Sequence, residues 1–367
     1  MSRQRRREKL RLFAGLAAAI LVIAGFALVL YMIETKSSLR EMLGDTGSWG
    51  HHKTAGHVVT VDDTDYAYTD EIQTYLLIGT DASGDLEKNR GKYGDLADFL
   101  VLLVINNTKE TYGFLQIDRD TITFVNVLDE EGKLQGSTQE QICTAHWYGP
   151  TEEIRNANTA AAVSDLLGGL NIDGYYVLDM KDVGAVNDAV GGVTVTIEED
   201  LTSIDPAMKE GASVKLSGKQ AEAYVRARMS VGDGTNVSRM RRQRSYMQSF
   251  YTQVMSDLKE DPNYLNDLYD TLSGIVISDA PRGDMSGIAN TLSQYENKGI
   301  LLLEGENGES DTFGDGERHT EFYPYTESIL GTLEDMIGIE PVTDELLENV
   351  EILEWKDAEE GSGADNE

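Results

Sequence analysis

DFLVLLVIN, residues 98–106, places seven consecutive apolar residues behind one charge, Asp98. The run is too short for a typical helix and lacks the alternation of a half-exposed strand. It therefore predicts a strand buried on both faces. TYLLIGTD (74–81) has the same character and closes on Gly79 and Asp81. TYGFLQID (111–118) follows the first run across the polar turn NTKE, which predicts an antiparallel hairpin. Beyond it, IRNANTAAAVSDLLGGL reads as an amphipathic helix ending at paired glycines. YYVLDM predicts a strand, KDVGAVNDAVGG a short helix and VTVTIEED another strand. Strands and helices in alternation define the expected fold class: α/β, a layered mixed β-sheet flanked by helices.

The C-terminal half continues the pattern. Ser217 and Gln220 have capping-box spacing, so a helix is expected from Gly218 to about Arg228. Ser238 is placed to cap the next helix, whose Met240, Met247, Tyr251, Val254 and Leu258 share one face. DPNYLNDLYDTLSGIVI and DMSGIANTLSQY are expected to be helical, ILLLEG a strand, and YTESILGTLEDMIG the last helix.

Composition narrows the function. The 367 residues carry a formal charge of −33, which argues against nucleic-acid binding through a basic footprint. A single cysteine, Cys143, excludes an internal disulfide and any multi-cysteine metal site. His146 lies three residues from it, but nothing nearby suggests an activated thiol. His51, His52 and His57 fall in a polar, glycine-bearing stretch and read as solvated.

Leu12–Ile33 contains 22 uncharged residues, enough to cross a hydrocarbon core. Arg3, Arg5, Arg6, Arg7, Lys9 and Arg11 precede it against one acid, Glu8. The expected layout is a cytoplasmic basic tail (1–11), a single-pass membrane anchor (12–33), an extracellular stalk (34–71), an extracellular domain (72–337) and an acidic, largely disordered tail (338–367).

Within this acidic chain, VRARMSVGDGTNVSRMRRQRSYMQSF (225–250) holds Arg226, Arg228, Arg239, Arg241, Arg242 and Arg244, half of the arginines that follow residue 11. Arg239, Arg241 and Arg242 fall at the start of a predicted helix. There the backbone dipole and like-charge neighbours cost roughly 1–3 kcal/mol together. A bound anion reverses both effects, and guanidinium forks match phosphate oxygens; neutralisation by nearby acids is the competing account. Asp81, Asp98 and the Asp118-Arg119-Asp120 triplet lie at predicted strand ends, where ligand sites gather in open α/β sheets. Carboxylates facing arginines suit a Mg²⁺-bound phosphate ester.

With YLLIGTD, DFLVLLVIN, IDRDT, DLLGGLNIDGYYVLDM, AVGGVTVTI, LSGKQAEAYVRAR and SRMRRQR in this order, residues 72–337 resemble the LytR-CpsA-Psr proteins of Gram-positive envelopes. The resemblance implies a phosphotransferase. Such an enzyme passes a phosphoglycosyl unit from a polyprenyl-pyrophosphate-linked glycan to a peptidoglycan hydroxyl, with Mg²⁺ assisting and the lipid in an apolar channel. It implies Asp81 and Asp98 as metal ligands, one of them also a base, and Arg119 with Asp120 as the pair of the family's PRD turn. Arg228, Arg239, Arg242 and Gln243 match the segment that grips pyrophosphate, with Arg119 added. Ser83 and Leu96 stand where the family commonly carries arginines, and Asp118 replaces the proline of the turn. Arg90 and Lys92, in the intervening loop, are candidates to substitute for them. These departures motivate a second expectation, a non-catalytic or regulatory envelope protein that binds lipid-linked pyrophosphate on the same fold.

Overall fold

The apolar run at 98–106 lies in a strand, Leu96–Asn106, whose side chains feed two separate core layers. The computed structural model describes residues 58–81, 95–228, 231–260, 275–279, 291–292, 294–311, 316 and 318–342. Its strands are β1 (Val58–Val61), β2 (Thr64–Tyr68), β3 (Ile72–Asp81), β4 (Leu96–Asn106), β5 (Thr111–Ile117), β6 (Ile122–Leu128), β7 (Leu134–Gln141) and β8 (Gly174–Asp179). They continue as β9 (Thr194–Thr196), β10 (Ser213–Lys215), β11 (Val276–Ser278), β12 (Glu296–Leu302), β13 (Gly305–Ser310), β14 (His319–Pro324) and β15 (Ile339–Pro341). The helices are α1 (Glu152–Leu166), α2 (Val183–Ala189), α3 (Gly218–Arg226), α4 (Asn236–Glu260) and α5 (Thr326–Ile337).

The central sheet has the order β11-β8-β3-β4-β5-β12. β4 and β5 are antiparallel, as the hairpin prediction required, and β3 also pairs antiparallel with β4, whereas β8 and β12 join in parallel on either side. Alternation along the strands divides the core. Leu76, Ile78, Leu100, Leu102 and Val104 face α1 and α5, through Ala162, Val163 and Leu333 among others. Tyr75, Leu77, Val101, Leu103 and Ile105 face the other way, against Met247 and Tyr251 of α4. Each fully buried aliphatic contributes on the order of 1.5–3 kcal/mol. The expected mixed sheet flanked by helices is therefore what the chain forms.

Several expectations change. Residues 58–68, placed in the stalk, form β1 and β2, and residues 339–341, placed in the tail, form β15 on β2. Val59 and Val61 lie in the first core layer, and Thr60 N–H donates to Gly168 O at 2.7 Å. β1 and β2 are too short to stand out as apolar runs, although Asp62-Asp63 makes a two-residue turn between them, and β15 pairs with β2 from far along the chain. Val276–Ser278, expected to continue a helix, is the edge strand β11 on β8. A short apolar run does not distinguish the two by period. VTVTIEED yields only the three residues of β9, and β6 with β7 forms a hairpin that no prediction covered. The α3 capping box is present, with Ser217 N–H donating to Gln220 Oε1 at 2.9 Å. Helix α4 begins two residues before Ser238, whose N–H donates to Thr235 Oγ1 at 3.2 Å. Thr235 is thus the cap, and Ser238 donates instead to Glu199 at 2.9 Å. The predicted anchor, the three stalk histidines, Ser83, Arg90, Lys92, Leu258 as a side chain and most of both helical segments in 261–295 lie outside the described residues. Among the described residues no helix is long and apolar enough to cross a membrane.

A chain cut to 72–337 is expected to unfold at lower temperature than one cut to 58–342, because it loses the buried Val59, Val61 and Ala67. Matching melting temperatures would show that β1, β2 and β15 are dispensable.

Candidate active site

A register break in β4 makes the site possible. Gly79 pairs with Phe99 but Thr80 pairs with Ala97, so Asp98 is an extra residue without a cross-strand partner. A bulge of this kind re-aims side chains. Ala97 falls in the layer of Leu100 and Leu102, Phe99 packs on the opposite layer, and Asp98 reaches helix α4. Its Oδ2 accepts from Arg239 Nη1 at 3.0 Å, and its Oδ1 accepts from Arg119 Nη1. Asp81, one strand away at the end of β3, accepts from Arg226 Nη2 through both oxygens, at 2.7 and 2.9 Å. Arg226 belongs to the arginine-rich window but not to the residues the resemblance assigns to pyrophosphate. As the last residue of α3 it also pairs with Glu222 one turn back.

The Asp118-Arg119-Asp120 turn is built by its first side chain. Asp118 Oδ1 accepts the Asp120 N–H at 2.9 Å, and Thr121 N–H donates to Asp118 O at 3.0 Å. An aspartate thereby closes the turn that proline would otherwise preset. The same oxygen accepts from Asn236 Nδ2 at 2.5 Å, and Asn236 Oδ1 in turn accepts from Arg239 Nε and Nη2 at 3.1 and 2.6 Å. Asp120 Oδ1 takes bonds from Arg119 Nε at 3.2 Å and Gln141 Nε2 at 3.3 Å. Its Oδ2 lies 3.7 Å from Arg228 Nη2. Asp120 Oδ2 and Arg228 Nε are both buried without a hydrogen-bond partner, so the network is incomplete on the side of Arg228.

Burial pulls the Arg239 guanidinium down in pKa; Asp98 opposes this, while Arg119 and Arg228 add to it. Burial and the charge of Asp120 raise the Asp118 carboxyl, against hydrogen bonds from Asp120 and Asn236. Burial also pushes the Cys143 thiol up to about 12, and His146 is buried with its ring nitrogens on Asp95 O and Asn156. The pair is no thiol nucleophile.

Asp81 and Arg226 thus form a separate pair at the end of β3, and Asp98, Arg119, Asp120, Arg228 and Arg239 form one contact network. Gln243 stands beside it: Nε2 donates to Val225 O at 3.3 Å and Oε1 accepts from Gln116 at 3.4 Å. Arg244 binds Gln116 Oε1 at 2.7 Å, and Arg241 pairs with Glu198 and Glu199. Arg242 departs from expectation. Its guanidinium is 1% exposed and bonds to Tyr224 O, Ala227 O and Glu199.

Next to the cluster lies an apolar cavity of about 100 Å³ between the sheet and helices α2 and α4. Ile78, Gly79, Phe99, Met180, Val183, Tyr246, Met247 and Phe250 line it, and Gln243 stands in its wall. A Cβ on Gly79 would meet Met180 Sδ at 2.7 Å and Phe99 Cβ at 2.8 Å, so glycine keeps this wall open. Sequence reading found Gly79 only as a strand terminator.

Magnesium commonly takes one or two carboxylates and completes its shell with water and substrate phosphates. Asp81 and Asp98, on adjacent strands with side chains 21% and 11% exposed, fit that donor set. Among the described residues no three His, Cys, Asp or Glu gather to hold a metal by themselves.

The family model of the LytR_cpsA_psr family matches residues 33–320, and the chain belongs to that family. Biofilm regulatory protein A of Streptococcus mutans is 27% identical over 191 residues, 49% of this chain and 44% of that protein, so the match spans less than half of the relative's length. The polyisoprenyl-teichoic acid–peptidoglycan teichoic acid transferase TagU of Halalkalibacterium halodurans is 25% identical over 241 residues, 65% of this chain and 69% of that one. The solved structure of TagT bound to LI-WTA shares the fold at 20% identity, with a TM-score of 0.53 over 74% of this chain and 92% of that chain.

Asp118→Asn keeps the accepting oxygen but removes a buried charge. Because the folded carboxyl pKa is raised, the wild type loses stability relative to this variant as pH climbs through the carboxyl range. Thermal melts from pH 4 to 7 should show the variant gaining on the wild type with rising pH; a constant gap would refute it.

Proposed function

We propose that this chain is a membrane-anchored phosphotransferase acting outside the cell. It moves a phosphoglycosyl polymer from a polyprenyl-pyrophosphate carrier to a hydroxyl of peptidoglycan. The observation that carries this reading is convergence: Asp98, Arg119, Arg228 and Arg239 come from separate elements and join one network, with the Asp81–Arg226 pair at the adjacent strand end and an apolar cavity lined by their sequence neighbours Gly79, Phe99 and Val225. The named activity of TagU, the basic tail and the apolar stretch at 12–33 agree with it.

In this reading the lipid enters between α2 and α4, and its pyrophosphate lies across Arg119, Arg228 and Arg239. A cavity of this size holds about one isoprene unit, so the rest of the chain lies outside it or parts the helices. The acceptor oxygen attacks the phosphorus that bears the glycan, and the bond to the lipid phosphate breaks. Polyprenyl phosphate leaves, the glycan becomes joined through a phosphodiester, and Asp81 or Asp98 receives the hydroxyl proton. The cation proposed at Asp81 and Asp98 supplies charge stabilisation to the transferring phosphoryl oxygens. Within the cluster four arginines, Arg119, Arg226, Arg228 and Arg239, face four aspartates, Asp81, Asp98, Asp118 and Asp120, so little positive charge is spare. Phosphate binding is therefore expected to depend on the divalent cation. Phosphoryl transfer asks for positioning and electrostatics more than covalent help, which this cluster provides.

One observation favours the second reading, a binder without turnover: both oxygens of Asp98 are occupied by guanidiniums. The two readings separate by product. With Mg²⁺ and a polyprenyl-pyrophosphate glycan, the transferase releases lipid phosphate and labels peptidoglycan, whereas a binder saturates without release.

Arg239→Ala and Asp98→Ala are each expected to lower turnover by at least ~100-fold, from loss of charged hydrogen bonds at about 1.5–3 kcal/mol each. Full turnover in both would defeat the site. Gly79→Ala should weaken lipid binding while leaving inorganic pyrophosphate binding intact, because the added methyl meets Met180 and Phe99 rather than the arginines. Equal losses for both ligands would detach the cavity from the lipid.

A further inference from the structure

Arg242 lies three residues after Arg239 in α4, yet all three of its guanidinium nitrogens are engaged inside the protein. Nε donates to Tyr224 O at 3.0 Å, Nη2 to Ala227 O and Nη1 to Glu199 Oε1. Those two carbonyls bracket Arg226, and Ala227 immediately precedes Arg228. They also belong to the end of α3, where carbonyls lack helical partners. One side chain of α4 thus caps α3 and fixes the backbone that carries two site arginines. Glu199 balances the buried charge. Its other oxygen accepts from Ser238 Oγ at 2.9 Å and Arg241 Nη2 at 3.4 Å. A Cβ on Gly232, at φ +54°, would lie 2.0 Å from Glu199 Oε2, so the backbone of Gly232 packs directly on this carboxylate.

We propose that Arg242 and Glu199 are positioning residues: they set the place of Arg226 and Arg228 relative to Arg239 and do not themselves touch the pyrophosphate. This rests on the reading that Arg228 and Arg239 hold that group. A guanidinium fork is required, because one ammonium does not span two carbonyls and a carboxylate. Glutamate is required because a buried arginine without its counter-charge is strongly destabilising.

The test is a double-mutant cycle on the full-length chain, with geranylgeranyl pyrophosphate and Mg²⁺ as the probe. Arg242→Lys is expected to weaken binding roughly tenfold, a 1.4 kcal/mol effect, with the protein still folded at the assay temperature. Arg228→Ala should weaken it by at least that factor. The double variant should be no worse than Arg228→Ala by more than about threefold, since residues acting through one another are not additive. A double loss equal to the product of the single losses would overturn the inference. If Arg242→Lys does not fold, Glu199→Gln is put through the same cycle with the same criterion. If the wild type fails to bind the probe, the pyrophosphate reading falls, and positioning is judged without ligand from the Nε–H resonance of Arg228. That resonance moves on Arg242→Lys if the pair sets its place, and an unmoved resonance overturns the proposal.

Discussion

Asp98 sits between two guanidiniums, Arg119 from a turn and Arg239 from a helix, and the arrangement of the site hangs on that clamp. The three groups reach one another because β4 carries one residue more than β3 opposite it. Without the extra residue, strict alternation would send Asp98 to the face of α1 and α5, away from the arginines. The bulge is thus the point where the sheet gives up regular pairing to bring charges from both sides of the fold together. Asn236 and Asp118 extend the clamp, so that the turn after β5 and the first turn of α4 are held by one network.

The acidity of the chain and its arginine cluster are not in conflict. A helix start is an unfavourable place for cations, and the protein resolves this in two ways. Glu199 neutralises Arg241 and Arg242 within the fold. Asp98 and Asp120 stand against Arg239 and Arg228, but there the pairing is partial, with buried orphan atoms remaining on Asp120 and Arg228. The first set is architecture; the second keeps unfilled hydrogen-bonding capacity.

Much of this was legible from residue order. Long apolar runs gave the central strands, because burial on both faces leaves no room for polar residues at 99–105. The capping box gave α3, and the family motifs gave Asp81, Asp98, Arg119, Asp120, Arg228 and Arg239. Direction was not legible. Arg242 and Arg239 are alike as letters, and only the path of α3 decides that one points inward and the other at Asp98. Arg226 was underestimated for the same reason. The bulge at Asp98 left no mark, since either register keeps the same apolar string. β15 escaped because its partner β2 lies far along the chain, whereas β1 and β2 form a local hairpin across Asp62-Asp63 whose strands are too short to stand out as apolar runs.

The three-stranded sheet of β1, β2 and β15 also sets how the domain would carry load. Any force applied through the chain ahead of the described domain reaches the described residues first at Val58. It meets a strand paired antiparallel with β2 along Val58–Val61 and tied to the end of α1 through Thr60 and Gly168. The far strand of that sheet, β15, follows α5. Such a pull is therefore borne first at this corner, by hydrogen bonds that lie away from the arginine clamp.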